Sequence, residues 1–350
     1  MNRESASSKK DYISLANVIS AAAVVYLHAN ACFWTFSDDL PYWKSANIIE
    51  GLFFFAVPVF LMNTGATLID YRKRYGIAEY FRKRVRKTVI PYLFWSIAGL
   101  LFQLFIVGGI SKEEVSAVYI LNGLLTGHIV YYYYFFIGLF AVYLCIPLFA
   151  AVAQESRIRV FTYLAAVTVF FNALIPAVIY CSGYDIAYDF SVPAAGGYLL
   201  YILLGYILSG TDFSKKTRIV FYLAGLLGLV LKILLTYHFS MSAGVIAVFF
   251  EDYMSLPAIL YSCGVYVFFR YEGEKLLKNA SVRKAVRFLS DYTMGYYLLH
   301  FFVLRLFIEY LPVTVFSPVY RFVLPVPAII IMTVFIWLIR KIPAGRWILP

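Results

Sequence analysis

The chain has 350 residues, of which 62% are hydrophobic and 14% charged, and it carries a formal net charge of +11. That balance excludes a soluble core with a solvated skin. Membrane topology accounts for the basic excess, so no nucleic-acid partner is expected. Cys32, Cys145, Cys181 and Cys263 are widely spaced and lack metal-ligand spacing, so neither a metal site nor a disulfide is expected.

A bilayer span takes about 20 mostly apolar residues. Such runs fall near 12–35, 48–70, 88–108, 129–152, 160–180, 193–210, 218–237, 245–269, 291–310 and 319–339. The alternation of an outer-membrane barrel is absent, which leaves helices as the spanning solution. The expectation is an all-α polytopic membrane protein of about ten spans. With no Ser/Gly-rich linker, low-complexity tract or fixed-period repeat, residues 1–350 read as one membrane domain. With the N-terminus in the cytoplasm, the inside segments hold Arg3, Lys9 and Lys10, the dense run from Arg72 to Lys87, and the basic residues of 157–159, 215–218, 270–287 and 340–346. Only Lys44 and Lys112 fall outside, while Lys232, Arg305 and Arg321 lie within or at the edge of apolar runs. The positive-inside rule then places both termini in the cytoplasm. Lys9, Lys10 and Ala29-Asn30-Ala31 resemble a signal peptide, but the apolar run is long for one and an uncleaved anchor helix is expected.

The first run carries Asn17 and His28, eleven residues or about 16 Å apart on one helix face. An ionisable group within a membrane is a functional-site candidate; the plainer reading is a histidine satisfied by a neighbouring helix or resting at the outer interface. FRKRVRKTVIPY, Phe81 to Tyr92, concentrates Arg82, Arg84, Arg86 and Lys87. Such a cluster suits the phosphates of a nucleotide-like donor, and it equally suits positive-inside topology or anionic lipid. In 109–128, Ser111 followed by Glu113 and Glu114 predicts the cap of an interfacial helix. Val282, Val286 and Leu289 predict a short amphipathic helix on the inner surface. The ninth run holds His300 and Arg305. Glu309, four residues on, is a candidate partner for Arg305, but nothing comparable explains His300.

Six segments, taken in order, resemble the acyltransferase 3 family of bacterial inner-membrane proteins, which includes O-acetyltransferases of surface polysaccharides and lipid-linked sugars. YISLANVISAAAVVYLH resembles its opening helix ending in histidine. VPVFLMNTGATL is similar to its VPxFFMISGYLL segment, with Thr64-Gly65 where Ser-Gly is usual. FRKRVRKTVIPYLFWS resembles its basic loop and following helix. YYFFIGLFAVYLCIPLF, GGYLLYILLGYIL and DYTMGYYLLH resemble later segments, the last supplying His300. The chain departs from the family at Asn17, where arginine is usual. It also departs at an aromatic HLWF stretch, where Tyr132 aligns with the histidine and Tyr134 with the tryptophan. His128 lies four residues too early to be carried over.

The resemblance implies transfer of an acyl group, most simply acetyl, from cytoplasmic acyl-CoA to a hydroxyl of a cell-surface or lipid-linked saccharide, at the inner or plasma membrane. It gives His28 the role of general base. Arg82, Arg84 and Lys87 fall at CoA phosphates, Asn17 contacts the donor, and His300 has either an assisting or a structural role. Two other classes fit the same residues: a transporter or flippase using the intramembrane histidines and Arg305 as proton or substrate sites, and a scaffold that kept the fold without catalysis.

Overall fold

The computed structural model describes residues 3–37 and 41–350, with side chains from Asp11 onward, so the side chains of Arg3, Lys9 and Lys10 lie outside the described part. No strand occurs among these residues. The helices in chain order are α1 (Arg3–Ala29), α2 (Pro41–Phe53), α3 (Ala56–Leu68), α4 (Ile77–Arg84), α5 (Ile90–Phe105), α6 (Ala117–Thr126), α7 (Tyr134–Phe149), α8 (Arg157–Val169) and α9 (Ile175–Ser182). After them come α10 (Tyr198–Gly210), α11 (Lys215–Ala243), α12 (Leu256–Tyr271), α13 (Gly273–Leu276), α14 (Ala280–Ser290), α15 (Thr293–Tyr310), α16 (Pro325–Ile339) and α17 (Gly345–Ile348). Six helical segments are long and apolar enough to cross a membrane: Asp11–Ala29, Pro41–Lys73, Ile77–Phe105, Tyr131–Phe149, Arg157–Ser182 and Lys215–Ala243.

Proline decides where these helices depart from regular winding. The apolar run at 48–70 is interrupted at Phe54-Phe55 between α2 and α3. Pro58 has no N–H to give the carbonyl of Phe54 four residues earlier, and the ladder resumes with Val59 N–H to Phe55 O at 2.9 Å. Three π-helical turns, Val85–Val89, Phe170–Leu174 and Val319–Val323, each end two residues before a proline: Pro91, Pro176 and Pro325. A π turn absorbs one extra residue and so fits the ring where the regular i to i−4 bond is missing.

In the loops, one sequence expectation is corrected and one is met. Ser111 precedes only the short 3-10 turn Lys112–Glu114 and makes no side-chain cap. The helix that follows is capped by Ser116, whose hydroxyl accepts from Tyr119 N–H at 3.1 Å, because only Ser116 stands directly before the apolar helical run. The amphipathic helix is present as α14, with Val286 buried, Leu289 half-buried and Lys284 and Arg287 exposed, although Val282 is exposed as well.

The chain divides into two compact units, Met1–Asp70 with Leu148–Arg287 and Tyr71–Pro147 with Phe288–Pro350. In the first, α3 packs on α10, α11 on α12, and α1 on α2, α3 and α12. The α3–α10 approach is set by two glycines. A Cβ on Gly65 would lie 2.0 Å from the carbonyl oxygen of Ile202, and one on Gly205 would lie 2.0 Å from that of Met62. Close backbone approach through small residues is the usual substitute for hydrophobic drive between helices in lipid. Asp11 ties α1 to Arg287 through two hydrogen bonds of 2.6 and 2.9 Å, and Arg157 pairs with Asp70 at 2.5 Å.

The second unit is held by aromatic side chains that spend their polar tips on backbone carbonyls. Tyr92 donates to Leu124 O at 2.6 Å, Tyr80 to Tyr143 O at 3.0 Å and Trp95 to Ile348 O at 2.8 Å. Tyr133 donates to Leu298 O and Tyr297 to Tyr132 O, each at 2.5 Å. These bonds satisfy groups that would be costly to leave unpaired in an apolar interior.

Candidate active site

The predicted residues divide between the units, with Asn17 and His28 in the first and Arg82, Arg84, Lys87 and His300 in the second. His28 occupies the last turn of α1 and is half-buried. Asn17 is engaged: its Oδ1 accepts from Asn63 Nδ2 at 2.8 Å. Asn63 sits in α3 and is buried, and its own Oδ1 has no donor. A buried amide oxygen in that condition is an open acceptor beside Asn17. Sequence reading missed Asn63, although an asparagine within FLMNTG of an apolar run was a visible signal.

In the second unit the basic run separates into three settings. Arg82 is exposed on α4. Arg84 turns into the aromatic core, its guanidinium 5.8 Å from the Tyr80 ring centre and 5.5 Å from that of Tyr143. Its Nε is buried without an acceptor. Lys87 lines a cleft of about 690 Å³ with Arg86, Arg340, Lys341 and Arg346. In an unbroken α-helix Arg84 and Lys87, three residues apart, would share a face; the π turn at Val85–Val89 lies between them and changes that register. The C-terminal cations of the cleft were legible only as topology charges, because nothing in the sequence connects 86–87 with 340–346.

His300 is fully buried in α15. Its Nδ1 lies 3.2 Å from Tyr296 O, and its ring packs 5.2 Å from that of Tyr132 and 5.6 Å from that of Tyr297. Of these two tyrosines, Tyr132 is half-buried and Tyr297 buried. The expected Arg305 partnership is corrected: Glu309 is exposed in the last turn of α15 and no ion pair joins the two. Among the described residues no group of three or more His, Cys, Asp or Glu could hold a metal.

The first unit also holds a buried charged group. Lys232 Nζ lies 2.9 Å from Glu251 Oε2, donates to Phe250 O at 2.7 Å and stands 3.5 Å from the Phe54 ring centre. Glu251 accepts from Thr236 at 3.0 Å, and Glu50 is buried nearby in hydrogen-bonding contact with Asn30.

Among the described residues, helices long and apolar enough to cross a membrane point to a membrane protein, with a half-buried histidine closing the first of them and a basic cleft in the second unit. The family model described as an acyltransferase domain matches residues 10–340, and the chain belongs to the acyltransferase 3 family. It is thereby a membrane acyltransferase by family. No curated protein and no solved structure matches it.

Proposed function

We propose that this chain is a multi-pass O-acyltransferase of the inner or plasma membrane, with about ten crossings and both termini cytoplasmic. It moves an acyl group, acetyl in the simplest case, from cytoplasmic acyl-CoA to a hydroxyl of a cell-surface or lipid-linked saccharide. The observation that carries the reading is the family match over residues 10–340, joined to a cleft in which Lys87 and four further cations face a single acid, Asp291. Such an excess of positive charge favours a donor bearing several phosphates. On the acceptor side, a groove of about 450 Å³ is lined by Tyr180, Tyr184, Tyr188, Phe249 and Asp185, aromatic faces and a carboxylate of the kind that suit a sugar ring and its hydroxyls.

In this mechanism the acceptor hydroxyl attacks the thioester carbonyl. The C–O bond forms, the C–S bond breaks and CoA leaves as the thiol. His28 takes the hydroxyl proton as the bond forms and returns it to the departing sulfur. The Asn17–Asn63 pair supplies polar contact to the donor, Lys87 with Arg86 provides the positive field for its phosphates, and His300 positions Tyr132.

The test is mass analysis of surface glycans and lipid-linked sugars from cells with and without the protein. An alkali-labile mass increment that needs the protein establishes O-acylation and names the acyl group. Identical spectra, with protein-dependent flux of a solute or lipid-linked sugar, would replace it with the transporter reading.

A further inference from the structure

The cleft of the second unit contains more positive charge than the sequence assigned to a donor site. Arg86 and Lys87 approach it from the π turn that leads into α5, and Arg340, Lys341 and Arg346 from the end of α16 and from α17. Among the described residues none of the five forms an ion pair with an Asp or Glu side chain. Lys87 is surrounded by the like charges of Lys83, Arg84 and Arg86, with Asp291 the acid that opposes them. Five cations gathered against one carboxylate repel one another until a multivalent anion enters.

Three of the five, Arg86, Arg340 and Lys341, are also held in place before any ligand arrives. Arg86 lies 4.2 Å from the Trp347 ring centre, Lys341 3.4 Å from that of Trp337, and Arg340 4.6 Å from that of Tyr292. Arg340 donates through Nε to Leu349 O at 2.9 Å and through Nη2 to Asp291 O at 2.6 Å and to Pro350 O. Cations fixed over rings and carbonyls lose little freedom on binding.

We propose that the cleft binds two separate phosphate centres of one ligand, with Arg86 and Lys87 holding a diphosphate and Lys341 and Arg346 selecting a third phosphate. On the donor reading given above, the ligand is the nucleotide end of CoA, and the third group is its 3′-phosphate. The C-terminal segment thus makes the site discriminate between CoA and 3′-dephospho-CoA. A single-phosphate lipid headgroup uses only one of the two cation groups.

The test uses the full chain in nanodiscs of zwitterionic lipid, with calorimetric binding of CoA and of 3′-dephospho-CoA. Wild type is expected to bind CoA about tenfold more tightly. Lys341→Gln/Arg346→Gln is expected to bind the two equally, at the wild-type affinity for the dephospho form; melting temperature reports folding, and Arg340 is left intact because it anchors backbone. Discrimination unchanged in the double variant overturns the proposal while leaving the donor reading in place. Binding of neither nucleotide by wild type overturns both. A third arm adds phosphatidylglycerol: cleft substitutions that alter retention of this lipid but not nucleotide affinity reassign the cleft to a headgroup.

Discussion

Lys232 and Glu251 meet at 2.9 Å with their side chains 0% and 2% exposed, which makes them a sealed ion pair linking α11 to the turn before α12. The ammonium is fully occupied by Glu251, by Phe250 O and by the Phe54 ring. Burying two charges is repaid only by such complete pairing, and removing one partner strands the other.

Lys232→Met is therefore expected to lower stability by about 3–5 kcal/mol. Lys232→Met/Glu251→Gln should recover much of that loss, because the Glu251 carboxylate is no longer stranded without its ammonium. Thermal unfolding of the detergent-solubilised protein checks both; a single variant that melts with wild type would show that the pair is not sealed.

Gly65→Ala places a methyl 2.0 Å from Ile202 O, a backbone atom that cannot swing aside. A cost of about 1–3 kcal/mol is expected from forced separation of α3 and α10. Gly76→Ala, where nothing lies within 4 Å, serves as the control and should leave the melting temperature unchanged.

His28→Ala should abolish the ester-labile product on surface glycans while the protein inserts and melts as wild type does. Its half-buried position at the end of α1 makes a large packing loss unexpected. Product at wild-type level in this variant would remove His28 from the chemistry.

Lys87→Gln should raise the KM for acyl-CoA about tenfold with little change in kcat, the pattern of a group that binds the donor equally in ground and transition states. Arg82→Gln, at an exposed site outside the cleft, should change KM by less than about twofold. Steady-state kinetics in proteoliposomes decides the order, and equal effects at the two positions would place the donor on the surface of α4.

The class of structure was readable because a bilayer leaves few solutions: apolar runs of span length become helices, although the first helix ends at Ala29, short of the end of the run read at 12–35. What lay beyond reading was winding. Apolar composition hid the interruption at Phe54-Phe55, and the basic run gave no sign of the π turn that follows Arg84 and contains Lys87. The partnership of Lys87 with Arg346 joins residues from opposite ends of one unit, and topology charges look alike in sequence wherever they finally gather. Lys232 was visible as a charge in an apolar run, but Glu251 lies beyond the helix end and gave no spacing to connect them.

The reciprocal glycines of α3 and α10 also constrain how this protein can vary. Each faces main chain rather than the other's vacant side, so enlarging one cannot be rescued by shrinking anything at the other. A suppressor screen started from Gly65→Ala should return changes that shift a whole helix, and none at position 205.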